Sequence, residues 1–273
     1  EKPLYYFKNN EGIYFGSEIK AIQSLLLKKL SINYSYLKRY LVYGYKYLHK
    51  TNETFFNRVI SLESASNMVI SKRGHRVYKY WEPNIEQNCN MSYKDALDGT
   101  KEYLFESIRL RLRSDVPLAF CLSGGVDSSS LVSIAKKCFN QDVVTFSIID
   151  NDERYNELDN ITETIKDLDC EHFLIELDYK DMIPKLERLI SYHDAPISTI
   201  SYLIHSLLSE QINANGFKVS ISGTSADEIF TGYYDHFNLH LYEMRNHVAL
   251  EPMRKYWDPQ NLSQKYLWDS YSF

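Results

Sequence analysis

Hydrophobic and polar positions along the chain change their period near residue 90. Upstream, residues 2–7 (KPLYYF) and 12–17 (GIYFGS) are short aromatic runs around Asn9 and Asn10 and predict two strands, after which 19–29 (IKAIQSLLLKK) repeats with helical spacing. Residues 55–70 and 76–81 alternate apolar with polar around Lys72, Arg73 and Gly74, which predicts a hairpin of an antiparallel sheet. Residues 1–85 therefore read as mostly β. The polar, aperiodic stretch 82–90, with Pro83, predicts a linker. From residue 92 the spacing is helical: Ser92 and Asp95 make a capping-box start, and Leu97, Leu104, Phe105, Ile108 and Leu112 recur on one face. Strands are then predicted at 116–122, 143–149, 173–177 and 218–221, with helices after Gly125 and at 158–168, 182–192 and 201–213. Strand alternating with helix predicts an α/β fold with a parallel sheet, so the chain divides into a β-rich unit at 1–85 and an α/β unit at 92–273.

Composition refines this picture. At 273 residues and 44% hydrophobic, the chain can bury a sizeable core in one or two domains. A net charge of -5 gives no general field for nucleic acid, and the basic run 109–113 (RLRLR) alternates with leucine as a helix end does. No nucleic-acid partner is expected. No membrane association is expected either, because no apolar stretch approaches the roughly 20 residues that span a bilayer and the start lacks a signal-peptide pattern. Cys89, Cys121, Cys138 and Cys170 are widely spaced without a CxxC pair, which argues against a disulfide framework or zinc site and for a reducing cytoplasm. The dense tyrosines of the first unit read as half-buried strand and interface surface rather than base-stacking platforms. Glu1 in place of an initiator Met is what a processed or partial chain would show.

Chemistry concentrates in two glycine-serine turns. The first follows the apolar strand 116–122, a run expected of a parallel strand buried on both faces. Gly124 and Gly125 can take positive φ and let a ligand approach the backbone, and Ser128, Ser129 and Ser130 open a helix among its unpaired N–H groups. That arrangement binds an anion, typically phosphate. Asp127 would repel the anion unless a hard cation lay between them, which implies Mg²⁺ held jointly by Asp127 and phosphate oxygens. The plain alternative is an ordinary strand-to-helix turn, weakened by seven residues in order (SGGVDSS) in the right setting. There is no Walker lysine: residues 44–51 (GYKYLHKT) have His49 where the P-loop pattern needs glycine, and nothing matches GxGxxG after a strand. Kinase and dehydrogenase readings fall away. The second turn, 222–232 (SGTSADEIFTG), follows the last strand. Ligands of open α/β sheets sit beyond the carboxyl ends of the strands, so Ser222, Gly223 and Asp227 should face the same crevice as residues 123–129. Asp127 and Asp227 would then flank one magnesium–pyrophosphate unit. Alone, Asp227 and Glu228 would read as charge complementing a helix dipole, worth only about 0.3–1 kcal/mol.

The segments KPLYY, YFGSEIKAI, RSDVPLAFCLSGGVDSS, TFSI, HDAPISTIS and SGTSADEIFTGYYDHF occur in this order. Up to about Tyr242 the chain resembles the glutamine-dependent asparagine synthetases, and SGGVDSS resembles the pyrophosphate loop of enzymes that cleave ATP between its α and β phosphates. The resemblance implies a parallel sheet of the adenine-nucleotide alpha-hydrolase (Rossmann-like) type, preceded by the β-rich end of a class II, Ntn-type glutamine amidotransferase domain. In that family a glutaminase releases ammonia through a terminal cysteine, and a second domain uses ATP and Mg²⁺ to adenylate a carboxylate that ammonia attacks. Family nucleotide contacts map to Leu122, Ser123, Gly124, Gly125, Asp127, Ser128, Ile148, Ser222 and Gly223, and the charge argument above makes Asp127 and Asp227 the expected metal ligands. Residue 1 is Glu1, not cysteine, so this chain is expected not to hydrolyse glutamine, and it stops at Phe273, short of a lysine-bearing segment the family uses on pyrophosphate.

Thr224 stands where the family often has a glutamate placed to handle the incoming amine's proton, and Ala195 lies near another acidic position. Thr224 cannot act as that base, a loss typically of about 10²- to 10⁴-fold, which slows amidation without abolishing adenylation. Two acceptors stay open: aspartate by default, or a uronic acid of surface-polysaccharide synthesis. A non-catalytic relative would have little reason to keep Asp127, Asp227 and both turns. A tRNA-modifying or NAD-forming ligase is weakened by the missing basic surface. A homodimer stays open.

Overall fold

The computed structural model describes residues 3–84, 90–149, 157–178 and 180–246. Most of the expected linker, with Cys89, lies outside them. In the first unit, β1 (Tyr5–Lys8) pairs antiparallel with β2 (Ile13–Gly16) on one side and β3 (Val59–Ser61) on the other. Helix α1 (Ile19–Leu26) buries Ile19 and Ile22 against Phe7 and Val59. The expected hairpin is β4 (Ser66–Ser71) with β5 (Gly74–Lys79), in register from Ser66↔Lys79 to Ser71↔Gly74.

The reading of this unit as mostly β needs one correction. Residues Tyr34–Tyr43 form a helix, α2, capped by the Asn33 side chain, which accepts from the Tyr36 N–H at 3.1 Å. Its tyrosines suggested strand, but Tyr36 packs edge-on against Phe55 and Tyr47, with ring centroids 5.0 and 5.5 Å away. Tertiary aromatic contacts outweigh a weak local preference for strand.

The second unit opens with α3 (Tyr93–Arg111), whose capping box between Ser92 and Asp95 is present as expected. Four parallel strands follow in the order β8-β7-β6-β9: β6 (Leu118–Cys121), β7 (Val144–Ile149), β8 (Glu171–Glu176) and β9 (Val219–Ile221). The crossovers are α4 (Val126–Phe139), α5 (Leu158–Leu168), and α6 (Met182–His193) with α7 (Ser201–Ala214). Alternate residues of β6 face opposite layers: Leu118 and Phe120 pack with Val132 of α4 and Ile161 of α5, whereas Ala119 packs with Leu208 and Ile212 of α7. Phe120 and Phe146 have no exposed surface, and burying each contributes about 1.5–3 kcal/mol. Burial on both faces explains the unbroken apolar run at 116–122.

The chain leaves β6 towards β7 and β8, then returns to place β9 on the other side of β6. The strand order therefore reverses between β6 and β9, the point beyond whose carboxyl ends open α/β sheets bind their ligands. Among the described residues, no helix is long and apolar enough to cross a membrane.

Candidate nucleotide site

The exit of β6 is pinned to β7. The Leu122 N–H donates to the Phe146 carbonyl at 2.9 Å, and the buried Ser147 hydroxyl donates to the Leu122 carbonyl. Ile148, two residues beyond Phe146, packs into the layer facing α7. The backbone then turns through Gly124 at φ +87°, where a Cβ would lie 3.0 Å from both Cβ and O of Glu157. Only glycine meets both demands.

Ser128 closes the turn. The residue is 5% exposed, and its hydroxyl accepts from the Ser123 N–H at 3.1 Å and donates to the Gly125 carbonyl at 3.2 Å. The Ser123 hydroxyl in turn accepts from the Gly125 N–H at 3.3 Å. The loop's amides thus divide into two sets. The Ser123 and Gly125 amides shape the turn, while those of Val126, Asp127 and Ser128, the first of α4, lack intrahelical acceptors and take none among the described residues. Ser128 is a structural staple as well as a candidate contact.

The second turn leaves β9 at Ile221. Ser222 and Thr224 place their hydroxyl oxygens 2.9 Å apart, and Ser225 adopts φ 77° before the short helix α8 (Ala226–Phe230). Gly223 lies directly against the first turn: a Cβ there would be 3.1 Å from Asp127 Cβ and 3.1 Å from the Ser128 nitrogen. The two turns therefore form one wall at the switch point, as topology required.

The carboxylates differ in setting. Asp127 is exposed in the first turn of α4, with no hydrogen-bond or ion-pair partner among the described residues. Asp227 is half-buried, and its Oδ1 lies so close to Gly232 that a Cβ there would sit 1.9 Å away. The described hydrogen bonds give the two carboxylates no common partner. Among the described residues no cluster of three or more acidic, histidine or cysteine side chains could hold a metal. Asp127 and Asp227 are the carboxylates these two turns offer, and Mg²⁺ is usually held by one or two carboxylates, phosphate oxygens and water.

Sequence reasoning missed three supporting residues. Ser147 anchors Leu122, and Gly232 makes room for Asp227. Tyr233 donates its hydroxyl to Glu228 Oε1 at 2.8 Å. This bond, together with burial and the charges of Glu228 and Asp227, pushes the Tyr233 phenol above its ordinary pKa. The tyrosine following TG in the acidic motif was the available signal. Thr224 is exposed on the second turn.

The asparagine synthase family profile matches residues 99–273, more than half of the chain, and the glutamine amidotransferase domain profile matches residues 1–81. The putative asparagine synthetase (glutamine-hydrolyzing) 2 of Methanocaldococcus jannaschii is 28% identical over 246 residues, covering 87% of this chain and 46% of that protein. Asparagine synthetase (glutamine-hydrolyzing) 1 of Bacillus subtilis is 27% identical over 233 residues, covering 85% of this chain and 36% of that protein. Amidase chyE of Penicillium rubens is 26% identical over 171 residues, covering 56% of this chain and 25% of that protein. The chain spans less than half the length of these curated relatives.

Proposed function

Because the chain belongs to the asparagine synthase family, we propose that it binds ATP between its two glycine-serine turns and converts a carboxylate into an acyl-adenylate, which ammonia attacks to give an amide. The observation that carries this reading is the contact of Gly223 with Asp127 and Ser128, which unites the turns after β6 and β9. Unpaired amides at the start of α4 are suited to phosphate oxygens. Leu122, Ser123, Gly124, Gly125, Ser128, Ile148, Ser222 and Gly223 line the nucleotide in this reading. Asp127 and Asp227 would hold Mg²⁺, which when bound neutralises charge on the departing pyrophosphate.

A carboxylate resists attack by ammonia until its oxygen becomes part of a good leaving group, and the adenylate supplies one. The protein's part is positioning and electrostatics. The match of residues 1–81 to an amidotransferase domain supports glutamine as the source of the ammonia. Aspartate is the first acceptor to test. A uronic acid is the second reading, favoured by Thr224 and Ala195, which leave the acceptor side less acidic and roomier than glutamates would.

Calorimetric titration of ATP in the presence and absence of Mg²⁺ tests the nucleotide site. Asp127→Asn should weaken Mg²⁺-dependent ATP affinity about tenfold or more and leave metal-free affinity nearly unchanged. Equal Mg²⁺-dependent affinity in the two proteins would remove Asp127 from the metal site.

A further inference from the structure

The N-terminal unit and α6 cap each other's helix ends. Helix α1 begins at Ile19, and its N-cap residue Glu18 makes no side-chain cap. The missing acceptor comes instead from Asp194, whose Oδ2 takes the Lys20 N–H at 2.9 Å. Asp194 is also the left-handed residue that ends α6, at φ 56°. In return the Lys20 ammonium donates to the Tyr192 carbonyl in the last turn of α6 at 2.6 Å and lies 4.6 Å from the Tyr192 ring centroid. A carboxylate thus meets the positive end of one helix while an ammonium meets the negative end of the other. A third tie lies beside them: the Tyr40 hydroxyl of α2 donates to the Ile197 carbonyl at 2.7 Å.

The segment held in this way joins α6 to α7. Helix α7 returns antiparallel to β9 through a tight connection, in which the Phe217 N–H donates to the Ile212 carbonyl and Gly216 takes φ +87°. The start of α7, and with it residues 194–200, must therefore lie at the carboxyl end of the sheet. That is the end where the turns at 122–128 and 222–224 meet. Ala195 and Pro196 of this segment also line a cleft of about 830 Å³ together with Tyr5, Tyr36 and Glu53 of the first unit.

We propose that Lys20 and Asp194 are positioning residues: their reciprocal capping holds residues 194–198 at the crevice, so that the amidotransferase-like unit shapes the acceptor side of the adenylation site. The proposal rests on the amide-ligase reading above. It assigns neither residue a chemical step. Their effect should fall on the acceptor and spare ATP, whose contacts lie on the two turns.

The test uses the full chain with ATP, Mg²⁺, ammonia and either aspartate or glucuronate as the acceptor probe, following pyrophosphate release. Asp194→Ala and Lys20→Met should each raise the acceptor KM roughly tenfold, the scale of one charge-assisted hydrogen bond, with ATP KM changed less than about twofold. Asp194→Asn, whose amide oxygen still accepts from the Lys20 N–H, should retain most of the acceptor affinity and guards against a variant that fails to fold. Hydrogen exchange at residues 194–198 should quicken in Asp194→Ala and less in Asp194→Asn. Parallel loss of acceptor and ATP affinity, or unchanged acceptor KM with quickened exchange, would overturn the positioning role. Unchanged exchange in Asp194→Ala would refute the clasp itself. Absence of turnover in the unsubstituted protein on both probes would instead sink the amide-ligase reading, and the acceptor role with it.

Discussion

Gly223→Ala would insert one methyl group between the two turns. The Gly223 backbone lies outside the positive-φ region, so alanine brings no conformational strain of its own. Its Cβ would meet Asp127 Cβ and the Ser128 nitrogen at 3.1 Å and the Asp127 carbonyl carbon at 3.3 Å, where ordinary contact begins at 3.4 Å. These neighbours are backbone or lie next to it, so relief requires the turns to part by about 0.3 Å. Overpacking costs about 1–3 kcal/mol in a closed core, and the exposed residues 222 and 224 place this site near the lower figure. For a shared ligand, a displacement of about 1 Å can cost 10²-fold, so one of about 0.3 Å should lower kcat/KM for ATP by about fourfold. The assay is pyrophosphate release against ATP concentration, with the urea midpoint measured on the same protein. Gly12→Ala is the control, because nothing lies within 4 Å of a Cβ at that position. Wild-type kcat/KM in Gly223→Ala, alongside a lowered urea midpoint, would show that the turns touch without sharing a ligand.

Three further outcomes follow from the same geometry. Thr224→Glu should speed asparagine formation by up to about 10²-fold if aspartate is the acceptor, and should weaken adenylation of a uronic acid by setting a carboxylate beside another. Faster amidation of both acceptors would show that residue 224 does not select between them. Gly124→Ala, which combines φ +87° with contacts at 3.0 Å to Glu157, should cost about 2–5 kcal/mol of stability, read as the urea midpoint, and a loss under 1 kcal/mol would refute the strain argument. Burial holds the His172 imidazole below its ordinary pKa, with Nε2 buried and without a partner among the described residues. As pH falls below about 6.5 the unfolded chain takes up a proton that the folded chain resists, so stability present above that pH declines. His172→Phe should flatten this part of the pH profile of the urea midpoint, and an unaltered slope would exclude His172 as its source.

The α/β unit was legible because its signals are local and agree with one another. Helix α5 occupies Leu158–Leu168, the bounds that spacing predicts, and the Ser92–Asp95 capping box marks the start of α3. The apolar run before Gly124 needed two buried faces, and both are present on β6. Helix α2 went unassigned within a unit read as mostly β, because tyrosine favours strands unless tertiary contacts intervene, and the ring of Phe55 that packs on Tyr36 lies outside the helix. The meeting of the two turns followed from the rule for open sheets, whereas the distance from Gly223 to Asp127 did not. Two features had no local signal. The room Gly232 leaves for the Asp227 carboxylate depends on the path of one turn, and Asp194 capping α1 joins residues 174 positions apart.

The most direct test of the account follows oxygen from the acceptor. Aspartate or glucuronate labelled with ¹⁸O in its carboxylate is incubated with the full chain, ATP, Mg²⁺ and ammonia, and the nucleotide products are analysed by mass spectrometry. Activation through an acyl-adenylate predicts AMP carrying one ¹⁸O, pyrophosphate without label, and one amide formed per AMP. ADP with labelled orthophosphate, or AMP without label, would contradict it.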